Sequence, residues 1–115
     1  MVDVFAEVAE WLSVSQVAQL LDIPNGKVSR LLQEHTLIGV KREGEVKIPA
    51  ELIVDGEPLH SLKGTVLVLL DAGFSEASAI EWLYTPSESL ATTPIQALLA
   101  GRRAEIRRLA QALAL

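Results

Sequence analysis

No cysteine occurs anywhere in the 115 residues. That excludes disulfides and thiolate metal sites and fits a reducing compartment, so a cytoplasmic protein is expected. Aromatic residues are scarce, with two Trp, two Phe and one Tyr, so aliphatic side chains must supply the core. Long apolar runs are missing too: the longest, Val66 to Leu70, is far shorter than the roughly 20 residues of a membrane helix. No basic segment precedes an apolar stretch at the start, so no signal peptide and no membrane association are expected. Catalytic signatures are also lacking. His35 and His60 have no carboxylate or cysteine neighbours at ligand spacing, and Ser15, Ser29, Ser75 and Ser78 sit in no nucleophile-elbow pattern. With no glycine-rich phosphate loop either, the expectation is a protein that is not an enzyme and uses no metal or cofactor.

What is present is a chain half hydrophobic and 22% charged, which specifies a globule rather than a disordered segment. Its length suits one unit or two very small ones sharing a core. The formal charge of −5 argues against a generally nucleic-acid-binding composition. The distribution is uneven, however: residues 1–24 carry four acids and no base, residues 25–50 five bases and three acids, and residues 51–115 five bases and eight acids. The only basic window before the C-terminus is therefore residues 25–50.

That window coincides with the most informative stretch, Ser13 to Pro49. Val14, Val17, Ala18 and Leu21 recur at i, i+3, i+4 and i+7, the stripe of a two-turn helix. Ser13 and Gln16 stand at capping-box spacing before it. Asp22-Ile23-Pro24-Asn25-Gly26 breaks the helix, and a second follows in which Val28, Leu31 and Leu32 share the inner face. Gly26, Arg30 and Gln33 then point outward with Lys27 and Ser29 on the flanks, and Asn25 and Ser15 lie close to the turn. Long cationic donors, short polar groups and no bulk at the helix start are what a recognition helix over 25–35 needs in a major groove. Leu37 to Val40 and Val46 to Ile48 are β-prone runs on either side of Lys41-Arg42-Glu43-Gly44-Glu45, so a hairpin carrying Lys41, Arg42 and Lys47 is expected over 37–48.

The order SVSQVAQLL, DIPNGKVSRLL and a basic hairpin closing on KIPAELI resembles the winged helix-turn-helix of the MerR and excisionase-like families. Asp22 stands where such motifs carry a left-handed glycine, and Leu31 replaces a frequent aromatic. As a whole the chain looks most like a small actinobacterial family that joins such a winged domain to a helical domain. The resemblance implies a DNA-binding transcriptional regulator.

The flanks are read from periodicity. Val4, Phe5, Val8 and Leu12 predict a short amphipathic helix over residues 1–12, with an acidic tail as the alternative. Pro49-Ala50-Glu51-Leu52 reads as a helical turn, and residues 53–59 as a turn-rich connector between a winged domain at 1–52 and a helical one at 60–115. A helix apolar nearly all round is predicted from Leu62 to Gly73, although β-branched Thr65, Val66 and Val68 also permit a strand. Ser75 opens a helix with Ala77, Ile80 and Leu83 or Tyr84 inward, Thr93-Pro94 opens another to Leu99, and the last runs from Arg102 to Leu115. The fold class is thus mainly α with a small β wing. The stretch AIEWLYTPSESLATTPIQALLAGRRAEIRRLAQAL resembles the C-terminal domain of Xre/MbcA/ParS-type antitoxins, with Ala91-Thr92 in place of the usual loop glycine. The partners implied are double-stranded DNA and, through the C-terminal helices, a second copy or a partner protein. An antitoxin-like interaction module is the alternative function.

Overall fold

The turn from extended chain to helix at Ser13 sets the frame. In the computed structural model, which describes residues 5–113, Ser13 ends strand β1 (Trp11–Ser13) and caps helix α1 (Val14–Leu21). Its hydroxyl accepts from the Gln16 amide at 3.2 Å while the Gln16 side chain accepts from the Ser13 amide at 2.8 Å. Two amides at the chain's entry to the helix are thereby satisfied. Asp22 closes α1 in the left-handed conformation (φ 57°), which a short polar residue tolerates better than most. Helix α2 (Asn25–Gln33) follows, with Val28 fully buried and Leu31 and Leu32 partly so.

The wing is a three-stranded antiparallel sheet of order β1-β3-β2, with β2 at Val40–Arg42 and β3 at Glu45–Pro49. Three expectations change here. The helix predicted for residues 1–12 is not formed where the chain is described: residues 5–7 make a turn and Trp11–Ser13 pairs with β3, residues 1–4 lying outside the described residues. The local reason is the alternation about buried Leu12, which packs opposite Ile48, whereas the apparent helical spacing rests partly on Phe5, which lies in that turn. The strand expected from Leu37 begins only at Val40, because consecutive Leu37 and Ile38 are both buried and so do not alternate between two faces. The connection shrinks to Glu43-Gly44, both at positive φ (55° and 83°), as a two-residue hairpin with a right-handed twist requires. The recognition helix is also shorter than expected, ending at Gln33, with His35 already left-handed (φ 62°).

Residues 53–58 are more structured than a connector. A 3₁₀ turn (Ala50–Leu52) leads into a second hairpin, β4 (Ile53–Val54) and β5 (Glu57–Pro58), about Asp55-Gly56, again both at positive φ. The Leu59 amide donates to the Leu52 carbonyl at 2.7 Å and closes its base.

Four helices follow among the described residues: α3 (Leu62–Asp71), α4 (Glu76–Leu83), α5 (Pro94–Leu99) and α6 (Arg103–Ala112). Helix α3 excludes the strand reading, yet it is not buried all round, since Leu67 is exposed opposite Leu62, Val66 and Leu69. In α4 the inner row is Ala79, Ile80 and Leu83, not Ala77, which faces solvent. Helix α6 is shorter than predicted and Leu113 just beyond it is exposed, residues 114–115 lying outside the described residues. Arg102 stands before α6 and ties it down: it donates to Glu105 at 2.7 Å and to the Leu90 carbonyl at 3.1 Å, and the bond from Arg102 holds the Glu105 carboxyl below the usual carboxylate range.

Buried side chains run without a break from Leu12, Val28, Leu37 and Ile48 through Leu52 to Leu62, Ile80, Leu83 and Ile106. A polar contact crosses the same boundary, Gln96 Nε2 donating to Glu51 at 2.8 Å, and burial first, with the Glu51 charge adding to it, pushes the Tyr84 phenol up. Two substitutions test the backbone. At Gly39 a Cβ would stand 2.8 Å from the Lys47 carbonyl oxygen and 3.1 Å from Val46 Cγ1, so Gly39→Ala is expected to cost about 1–3 kcal/mol. Because the core is continuous, denaturation followed at Trp11 and at Trp82 in single-tryptophan variants should shift together; separate midpoints would show that the halves unfold independently. Ala91 sits left-handed (φ 60°), and relief of that ~1–2 kcal/mol penalty exceeds the entropy cost of glycine. Ala91→Gly should therefore raise the melting temperature, and a lowered one would contradict this account.

Candidate nucleic-acid interface

Every side chain the sequence singled out for DNA contact is exposed except Arg42 and Lys47, which are half-buried. On α2 the burial of Val28 forces Gly26, Ser29, Arg30 and Gln33 onto the outer face, since residues three and four apart share one side of a helix. A Cβ at Gly26 would meet nothing within 4 Å, so the space beside the first turn of the helix is open. Pro24 at the N-cap places no side-chain bond on the first amides, and no acid occupies the first turn. The positive end of the helix dipole is left uncompensated there. Asn25 Nδ2 donates to Ser15 Oγ at 3.1 Å, so these two predicted contact residues also bind α1 to α2.

The wing cations divide in a way that their sequence spacing hides. Adjacent strand residues point to opposite faces. Lys41 pairs with Val46 on the face that leads to buried Ile48 and reaches past the core into a groove of about 730 Å³ shared with Leu32, Gln33, Gly39 and Val40. Arg42 lies on the other face with Glu45, Lys47 and Trp11. Its guanidinium carbon stands 4.8 Å from the Trp11 ring centre and 5.4 Å from that of Phe5, and these rings meet edge to face at 5.7 Å. Lys47 Nζ is 3.1 Å from Glu45 Oε2. Arg42 and Lys47 are thus engaged within the protein, whereas Lys27, Arg30 and Lys41 form no ion pair among the described residues.

Two neighbours of this surface escaped the sequence reading. Phe5 and Trp11 form the bed for Arg42, a contact between residues about thirty apart that no local pattern marks. The β4–β5 hairpin brings Gly56 and Pro58 beside Lys27, Arg30 and Leu31 across a groove of about 310 Å³. The Asp55-Gly56 dipeptide was its signal, being a strong two-residue hairpin cue. At the other end of α2, His35 Nδ1 lies 3.7 Å from Glu76 Oε1, where the helical half abuts the helix-turn-helix.

A helix-turn-helix whose second helix bears its polar face outward, flanked by a three-stranded wing, defines a winged helix-turn-helix protein. Comparison with known proteins agrees and is more specific. Residues 1–53 match the family described as "DNA-binding protein Rv2175c, wHTH domain", and residues 59–114 the family described as "Rv2175c C-terminal domain of unknown function". The chain is similar to the DNA-binding protein Rv2175c of Mycobacterium tuberculosis, 36% identical over 112 residues, covering 86% of this chain and 77% of that protein. An NMR structure of Rv2175c superposes with a TM-score of 0.84 at 33% identity, covering 92% of this chain and 82% of that one. The chain belongs to the Rv2175c family. Among the described residues no helix is long and apolar enough to cross a membrane.

The Arg42 contact has a measurable consequence. A cation over aromatic faces contributes about 0.5–1 kcal/mol when exposed and more when desolvated. Arg42→Met, which keeps the apolar stem, is expected to lower stability by about that amount and to shift Trp11 emission in a Trp82→Phe background. Unchanged stability and emission would show that the rings do not hold the wing.

Proposed function

We propose that this protein binds double-stranded DNA and acts as a transcriptional regulator, reading sequence with the outer face of α2 and touching the backbone with the wing. The observation that carries this is the bare face Gly26, Ser29, Arg30 and Gln33, set between the Lys41 groove and the Lys27 side of the helix, with Lys27, Arg30 and Lys41 in no ion pair among the described residues. Arg30 is the base-reading residue, suited to a bidentate bond with guanine. Lys27 and Lys41 take phosphates. Gly26 admits the backbone at the helix start, with Ser29 and Gln33 as short-range donors and Asn25 and Ser15 holding the turn. Arg42 and Lys47 orient the wing from its far face. The role is binding rather than catalysis, exercised in the cytoplasm, with residues 1–52 forming the DNA-binding unit, 53–59 the junction and 60–115 the helical unit.

The finer affiliations belong to the same proposal. Left-handed Asp22 in the interhelical turn supports a MerR- or excisionase-type motif. Left-handed Ala91, in a loop where the Xre/MbcA/ParS antitoxin domain carries glycine, supports that relation for the helical half.

Arg30→Ala removes a contact worth ~1–3 kcal/mol of discrimination between bases and should flatten the preference recovered from a random-sequence duplex pool, with the fold intact. A folded variant with unaltered preference would remove Arg30 from this role. Replacing Lys27 and Lys41 by Gln should lower the slope of log affinity against log salt by about two units, one per phosphate contact. Two copies bound to adjacent half-sites would double the change, so the same titration reports stoichiometry.

A further inference from the structure

In a chain with 15 acids and 10 lysines and arginines, cations have partners in excess. Arg102 and Lys47 use them. Four cations of the helical half do not: Lys63, Arg103, Arg107 and Arg108 are exposed and form no ion pair among the described residues.

The three arginines gather on α6 where it packs on α3, and Lys63 stands on α3 next to Gly64, the residue against Arg107. Arg103 and Arg107 are one helical turn apart on α6 with Gln111 a turn further, a stripe of about 12 Å, and Arg108 flanks it. Arg107 lies across α3: a Cβ at Gly64 would come 2.6 Å from its Nη2, so glycine in the first turn of that helix leaves room for the guanidinium. Lys63 is the neighbouring residue on α3. Arg103 Nη1 stands 3.2 Å from His60 Nδ1 and 3.4 Å from Ser61 Oγ, which fixes the near end. The acids nearby are Glu105, bonded to Arg102 and also within the field of Arg108, and Asp55 and Glu57, which line the groove that ends at Arg103.

The chemistry of the stripe identifies its ligand. Guanidinium groups in a row match phosphate oxygens, and Arg103 and Arg107, about 6 Å apart along the helix axis with Arg108 beside them, suit neighbouring phosphates of one duplex strand. No aromatic side chain lies along it, so it lacks the stacking platform of single-strand binders. Its apolar content is small for the centre of a protein interface, with Ala104 between the arginines and exposed Leu67 a turn along α3 from Lys63. Pro58 lines both the groove beside Lys27 and Arg30 and the groove ending at Arg103, so only the β4–β5 hairpin separates the two basic surfaces.

We infer that the α3–α6 face is a second contact surface for duplex DNA, made by Arg103, Arg107, Arg108 and Lys63 to the phosphate backbone and independent of sequence. This rests on the DNA-binding reading above.

The test compares the full chain with its R103Q/R107Q/R108Q variant on a random-sequence duplex of about 30 base pairs, by fluorescence anisotropy between roughly 50 and 200 mM salt. Loss of three phosphate contacts should reduce the salt slope by about two to three units and weaken binding at least about tenfold, while the base preference in a selection persists. R103K/R107K/R108K, which keeps the charge, should retain the slope and guards against misfolding as the cause. An unchanged slope in R103Q/R107Q/R108Q, with the K27Q/K41Q slope lowered, would refute the second surface and leave the winged contact standing. The same unchanged slope with poly-glutamate binding lost would reassign the face to an acidic protein. Absence of any salt-dependent DNA binding by the unaltered chain would instead defeat the DNA-binding reading itself.

Discussion

The pairing of Trp11–Ser13 with Lys47–Pro49 holds the winged half in register. Leu12 faces Ile48 within the core, and Ser13 passes directly from that strand into the cap of α1. No residue intervenes to act as a hinge. The angle between helix and sheet is therefore set by one strand ladder and one capping box, and the position of α2 follows because its inner residues pack on the helix so fixed. Gly39 serves the same seam from the other side, letting the chain run against the backbone of Lys47 where any side chain would force the sheet open. Register and orientation thus come from apolar packing and backbone bonds, which leaves the charged side chains available for other work.

Those charges separate by environment rather than by position in the sequence. Arg42, Lys47 and Arg102 are engaged with rings, a carboxylate and a carbonyl, and each braces a piece of structure. Lys27, Arg30 and Lys41 on one side, and Lys63, Arg103, Arg107 and Arg108 on another, have no such partner among the described residues. The excess of acid elsewhere makes this partition informative, since a cation without an ion pair in an acidic protein is one that packing has kept out of direct contact with its nearest carboxylates. Net charge alone hides it, because a total of −5 says nothing about which side chains meet.

Much of this was legible beforehand. The helix-turn-helix was, because a capping box, a two-turn apolar stripe and a Pro-Asn-Gly break are local signals with local causes. The helices of the second half were legible for the same reason, down to Ser75 and Thr93 as caps. What escaped depends on distant partners. Trp11–Ser13 is three residues long and is a strand only because β3 offers an edge, and local spacing there imitates a helix. Leu37 and Ile38 read as strand by composition but fill the core between elements. At the wing, Lys41 and Arg42 read as one basic patch until the pleat sends them to opposite faces, and the bed for Arg42 lies some thirty residues upstream. The Asp55-Gly56 hairpin was readable in principle, since it repeats the turn chemistry of Glu43-Gly44, but with strands of two residues it carries almost no alternation to betray it.

That hairpin has a consequence for how a ligand is engaged. Closed at its base by the Leu59–Leu52 bond and flanked by continuous core, it makes the junction between the halves a brace instead of a tether. A flexible tether would let a second site search a volume around the first, at millimolar effective concentration for a short linker. A brace narrows that volume to a single arrangement. Any ligand long enough to touch both halves then gains the second contact at almost no entropic cost if its curvature fits, and not at all if it does not. The short junction thereby converts an affinity question into a geometric one, in which the shape of the bound molecule is selected as stringently as its charge.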